Sequence, residues 1–159
     1  MNFIVRSANI DDMPHVFELV KELAAFENEA DAVIITVDDL KRDGFGEKPL
    51  FHCFVADVEG EILGIALVYE RYSTWKGRTI HLEDLIVSEK VRGKGIGNAL
   101  FEEVIKYGHN LGVKRIEWAV LDWNEPAIKF YESKGAVVLR DWDVAQLNEK
   151  GIKDFISNL

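Results

Sequence analysis

Residues 82–97 read LEDLIVSEKVRGKGIG, and the segment Val91–Gly97 places three glycines and two cations directly ahead of an amphipathic helical pattern, Ile96, Leu100, Phe101, Val104 and Ile105. A strand that passes through a glycine turn into a helix N-terminus can aim successive backbone N–H groups at an anion. The helix macrodipole, Arg92 and Lys94 add positive potential, which suits a diphosphate. Two common phosphate motifs do not fit. A dinucleotide fingerprint needs G-x-G-x-x-G, whereas Gly93 and Gly95 are followed by Asn98, with Gly97 out of step. A P-loop needs Gly-Lys followed by Ser or Thr, but Lys94 is followed by Gly95. A plain glycine turn between strand and helix stays open as the alternative.

The flanking segments give a mixed α/β order. FIVR near the start reads as a strand, followed by a helix capped by Asp11 whose Met13, Val16, Phe17, Val20, Leu23 and Ala24 share one face. A short helix begins at Thr36, where TVDD forms a capping box with Asp39, and ends at the glycines of DGFGE. FHCFVADV and EILGIALVYERY flank Glu59-Gly60 as a β-hairpin, and TIHLEDLIV is a further strand. Beyond the glycine-led helix, RIEWAVL reads as a strand, Glu125–Lys134 as a helix with Pro126 in its first turn, and AVVLRDWDVAQL as one or two last strands. The expected fold is α/β with a central mixed sheet.

Composition narrows the function classes. The chain has 159 residues, enough for one well-buried core and short of two ordinary domains, so a single domain over 1–159 is expected. With 48% apolar and 30% charged residues it belongs with folded globular chains, and no membrane association is expected. The start, MNFIVRSANIDD, lacks the features of a secretory signal, so a cytoplasmic setting is expected. A net charge of −9 argues against a nucleic-acid partner and favours a small cationic ligand. The single cysteine, Cys53, reads as a buried strand thiol, and the histidines show no metal-ligand spacing, so no metal is expected.

The glycine segment resembles the acetyl-CoA signature of the GNAT N-acetyltransferases, R/Q-x-x-G-x-G/A, through Arg92, Gly95 and Gly97 after a strand ending in DLIV. DGFGE, FHCFVA, STWKGRTIHLED and LDWNEPAIKFYESKGA are similar to the spermidine/spermine and thialysine acetyltransferase group within that superfamily, over nearly the whole chain. The resemblance implies the GNAT fold, a mixed, mostly antiparallel sheet whose central parallel strands splay apart, with flanking helices. It also implies acetyl-CoA as cofactor, with Arg92, Gly93, Lys94, Gly95, Ile96 and Gly97 around its phosphates. The backbone of Leu85, Ile86 and Val87 would then bond the pantetheine amides and supply an N–H to an oxyanion. Asn124 lies where a family asparagine contacts the cofactor.

Acetyl transfer to an amine sets two proton-transfer tasks. An alkyl ammonium with a pKa near 10.4 is neutral only about one part in 2,500 at pH 7, a deficit of roughly 4.6 kcal/mol. Glu83 is the candidate base and Asp84 the residue that holds the cation. On strand alternation alone these neighbours point to opposite faces, one of them simply solvated. The resemblance assigns Tyr131 as the acid that protonates the leaving thiolate; without it, Phe130 and Tyr131 read as core aromatics. It implies an amine site built from Glu27, Trp75, Glu83 and Asp84, with Trp142 less securely matched. Trp75 could equally be a surface tryptophan over a strand.

Departures from the spermidine pattern are Ser73, where that branch has an acid, Phe26 in place of tyrosine, and His81 in place of an aromatic. STWKGRT and VLDWN look closer to the thialysine branch. The expected activity is acetylation of a small diamine, polyamine or lysine-like amine by direct attack, in a homodimer. Acetylation of a peptide or protein amine, or non-catalytic acyl-CoA binding, is the alternative.

Overall fold

The computed structural model describes residues 1–159, which divide into two compact units, Met1–Ala119 and Val120–Leu159. The first contains a five-stranded sheet in the order β1-β2-β3-β4-β5, with β1 Phe3–Ser7, β2 His52–Val58, β3 Glu61–Ser73, β4 Gly77–Val87 and β5 Ile116–Glu117. Strands β1 to β4 are antiparallel neighbours, and β5 joins β4 in parallel. The β2–β3 hairpin turns at Glu59-Gly60 as expected, with both residues at positive φ.

Helices α1 Met13–Phe26 and α2 Val37–Phe45 cover one face. There Met13, Val16, Leu19 and Leu40 pack against Cys53, Val55, Ile65, Leu67 and Ile86. Helix α3, Ile96–Asn110, covers the other face over the alternate residues Ala56 and Gly64. A Cβ at Gly64 would lie 3.0 Å from Leu100 Cδ1 and 3.1 Å from Ile96 Cγ2, so glycine there lets the first turns of α3 rest directly on the sheet. The Thr36–Asp39 capping box opens α2, and Gly46 ends it. Cys53 is buried, and burial pushes its thiol far above the usual range, consistent with a packing role.

The start of α1 differs from expectation. Asn9, rather than Asp11, accepts from a backbone N–H and opens a single 3-10 turn, Ile10–Asp12, ahead of α1. Asp12 is turned inward instead, where it accepts from both terminal nitrogens of Arg6 at 2.7 and 3.0 Å and from the Asn9 backbone N–H at 2.8 Å. The ion pair selects the inward carboxylate, leaving the cap to the neutral amide.

The late strands are also corrected. Of RIEWAVL only Ile116 and Glu117 are strand, because β5 pairs with β4 only at Ile80 and His81. AVVLRDWDVAQL, 136–147, forms no strand: its β-branched residues meet no ladder, and β propensity without a cross-strand partner does not make a strand.

In the second unit, α4 Glu125–Ser133 has Asn124 as its N-cap and Pro126 in its first turn, and Gly135 follows it at φ 91°. A helix absent from the sequence expectation, α5 Glu149–Ser157, closes the chain. Asn148 caps it by accepting from Gly151 N at 2.8 Å, and Lys150–Asp154 and Glu149–Lys153 pair along its surface. No helix is long and apolar enough to cross a membrane.

Candidate active site

Strand β4 carries the site through one irregularity. Its register against β3 runs Leu82 to Val68 and then Asp84 to Leu67, so Glu83 is an extra residue with no cross-strand partner. A bulge of this kind interrupts face alternation. Asp84 lies opposite Leu67, on the face covered by α1, and His81, opposite Tyr69, lies on that same face. Glu83 joins them, with its Oε2 3.5 Å from His81 Nε2. Strand alternation alone would turn Glu83 and Asp84 to opposite faces, and the inserted residue interrupts that alternation here.

The electrostatics around the bulge are acidic. Asp84 is half-buried, and burial first, then the charges of Glu83 and Glu27, push its carboxyl up to about 6. Glu27, just beyond the last turn of α1, is raised by burial and by Glu29. The phenol of Tyr69 is raised by burial, by the charge of Glu83 and by a hydrogen bond to it. Three carboxylates from two elements therefore share one small region, an arrangement that attracts a cation and penalises an anion.

The same strand presents an open edge. Beyond His81, the side of β4 away from β3 has no strand beside it, so the backbone groups of Leu82–Val87 that point that way are free of ladder bonds. Ser88 and a short 3-10 turn, Glu89–Val91, lead from this edge to the glycines. Gly93 and Gly95 take φ of 75° and 85°, which only glycine adopts without strain, and nothing lies within 4 Å of a Cβ at either. Helix α3 starts with no side-chain cap on Gly95, whereas α2, α4 and α5 each carry one. Its first amides and the glycine cradle thus fit a diphosphate, and the open strand edge fits an extended amide-bearing arm.

Lys94 is exposed, Ile96 is buried, and a Cβ at Gly97 would lie 3.6 Å from Val87 Cγ2. Arg92 is differently employed. Its Nε donates to the Val87 carbonyl at 3.1 Å, and its guanidinium lies over the Phe26 ring at 5.6 Å, so it braces the loop against β4 and α1. Trp75 is exposed at the β3–β4 turn, where the backbone N–H groups of Trp75 and Lys76 donate to Ser73 Oγ. Six residues of β4, roughly 20 Å, separate that turn from Glu83, so the chain does not bring Trp75 to its own carboxylates.

In the second unit, Asn124 Oδ1 accepts from Ala127 N at 3.4 Å as the cap of α4. Tyr131 lies in the last turn of α4, its ring edge-on to Phe130 at 5.4 Å. Trp142 is exposed in the segment after Gly135. Sequence reasoning missed two neighbours of Glu83: Tyr69, which β3 brings to it across the ladder, and His81, which lies two residues before it on β4.

The cradle, the open strand edge and the acidic bulge lie on one mixed sheet and have the form that acyl transfer from an acyl-CoA to an amine requires. Residues 16–136 match the model of the acetyltransferase (GNAT) family, and the chain belongs to that family as an N-acetyltransferase. GNAT acetyltransferases in general use acetyl-CoA. The chain is 40% identical over 141 residues to the thialysine N-epsilon-acetyltransferase of Bos taurus, covering 84% of this chain and 83% of that protein. It is 34% identical over 162 residues to the human spermidine/spermine N(1)-acetyltransferase-like protein 1, covering 96% of this chain and 23% of that longer protein. An integron cassette protein from the mobile metagenome of V. cholerae shares the fold, with a TM-score of 0.80 over 98% of both chains at 22% identity.

Proposed function

We propose that this protein transfers the acetyl group of acetyl-CoA to the primary amine of a small diamine, polyamine or lysine-like substrate such as thialysine. The observation that carries the reading is the bulge at Glu83, which gathers Glu83, Asp84 and Glu27 around one region beside an open strand edge. Similarity to the thialysine and spermidine/spermine-type relatives supports it. Acetyl-CoA, when bound, supplies an acetyl thioester open to attack by a neutral amine.

The chain's own residues supply the rest. Gly93, Lys94, Gly95, Ile96 and Gly97 hold the diphosphate, Arg92 braces that loop, and the backbone of Leu85, Ile86 and Val87 holds the pantetheine amides. Asp84 and Glu27 hold the substrate cation, and the exposed carboxylate of Glu83 takes the ammonium proton at Oε1 or Oε2. Tyr131 donates its phenolic proton to the departing thiolate, and Asn124 meets the cofactor. The family match runs across both units, which supports one acetyltransferase domain. A homodimer accounts for Trp75, whose distance from its own carboxylates leaves it to offer cation–π contact to a second copy's substrate.

The test is thiol release from acetyl-CoA across thialysine, lysine, short diamines, spermidine, spermine and a lysine peptide, with a no-amine control. Turnover on a free amine, reduced at least a hundredfold in Glu83→Gln, is expected. Release only with the peptide would replace the small-amine reading.

A further inference from the structure

The bulge holds one group that the proposed chemistry leaves unused. His81 is largely buried, with its side chain 16% exposed, while Glu83 beside it is 52% exposed. The ring lies 5.1 Å from that of Tyr69, and its two nitrogens have opposite surroundings. Nε2 faces Glu83 Oε2 at 3.5 Å, whereas Nδ1 is buried with no hydrogen-bond partner.

A neutral imidazole has one N–H and one bare nitrogen, and these surroundings choose between the tautomers. A proton on Nδ1 would leave a buried donor unsatisfied, which is costlier than a buried bare nitrogen. It would also turn the lone pair of Nε2 toward a carboxylate. With the proton on Nε2, both penalties vanish and the N–H points at Glu83. The distance of 3.5 Å is longer than a formed hydrogen bond, as catalytic contacts often are before substrate is present.

We infer that His81 is a positioning residue: as the Nε2–H tautomer it donates to Glu83 and, with the Tyr69 hydroxyl, holds that carboxylate in the orientation that meets the substrate amine. The inference rests on Glu83 being the base. Glu117, the residue opposite His81 on β5, is engaged by two guanidiniums, that of Arg71 on β3 and that of Arg115, whose Nε lies 3.3 Å from it. The Arg71–Glu117 pair closes at 2.8 Å, which leaves Glu83 as the acceptor for Nε2.

The test compares His81→Phe, which keeps the ring against Tyr69 but loses the donor, with His81→Gln, whose amide N–H can take the place of Nε2. Expected for His81→Phe is a fall in kcat of about tenfold, the worth of one charge-assisted hydrogen bond, with the acetyl-CoA Kd unchanged. His81→Gln is expected to recover most of it, and His81→Phe to add nothing in a Glu83→Gln background. If Glu83→Gln is slow but His81→Phe turns over like the parent, or His81→Gln is as slow as His81→Phe, the inference is overturned and Glu83 keeps its role. If Glu83→Gln itself is fully active, both fall. Nitrogen NMR of the His81 ring in the unaltered protein decides independently of folding: the Nε2–H tautomer is expected, and an Nδ1–H tautomer overturns the inference.

Discussion

Arg92 Nε donates to the carbonyl of Val87 at 3.1 Å, tying the first residue of the glycine loop to the last residue of β4. The side chain at the head of the signature thus acts on the loop's shape. Arg92→Ala is expected to raise the acetyl-CoA Kd by about three- to tenfold, the range of one exposed hydrogen bond, with kcat little changed. Arg92→Lys should not restore binding, because an ammonium lacks the in-plane Nε–H. Calorimetric titration of both variants checks this.

Asp84 sets a pH dependence whose sign follows from its raised carboxyl. Between the ordinary value of 3.8 and about 6 the folded protein holds a proton that the unfolded chain has released, so this group lowers stability as pH rises through that window. Asp84→Asn is expected to be more stable at pH 7 by about 1–2 kcal/mol, less than the roughly 3 kcal/mol of the full shift because water reaches the half-buried group. The same substitution should raise the KM for the amine. Amine affinity of the parent should improve from pH 5 to 7, a trend the variant loses. Denaturant melts and KM measured across that range give both signs.

Asp12 acts in the opposite sense. The Arg6 guanidinium, followed by the Asn9 backbone N–H, holds its carboxyl below the usual range despite burial. The stabilisation is therefore complete above the ordinary carboxylate value and is lost as pH falls through the lowered one. Asp12→Asn is expected to cost about 2–3 kcal/mol at pH 7 and to flatten the acid-unfolding limb. A variant with the parent's midpoint in urea would show that the pair contributes nothing.

Gly64 is a packing constraint on the cradle. Its Cβ position is crowded by Leu100, Ile96 and the Ala56 Cβ at 3.3 Å, so in Gly64→Ala the Leu100 and Ile96 side chains, and with them the first turns of α3, have to give by a few tenths of an ångström. A loss of about 1–3 kcal/mol is expected, together with weaker acetyl-CoA binding, since the same turns present the amides. Thermal melts with and without acetyl-CoA separate the two effects.

The elements legible in the sequence are those fixed by local chemistry: the Thr36–Asp39 box, the Glu59-Gly60 turn, and α3 with its glycine lead-in. What stayed hidden depends on partners far away in the chain. The extra residue at Glu83 exists only relative to β3, and no pattern within LEDLIV distinguishes it from a regular strand. The truncation of β5 depends on where β4 stops being matched. The spacing of Ile152, Phe155, Ile156 and Leu159 after the Asn148 cap is a readable helical period, which follows directly on a run of strand-like residues.

The bulge makes strand length, as much as residue identity, the quantity on which the site depends. Removing Glu83, the one residue between Leu82 and Asp84, would restore an unbroken β3–β4 ladder with Asp84 still opposite Leu67, and would take the proposed base out of the strand. Such a deletion would give a more regular sheet and an inert protein, with almost every other residue in place. A search for related enzymes, or a design built on this sheet, should therefore score gaps at this point as heavily as the acids themselves.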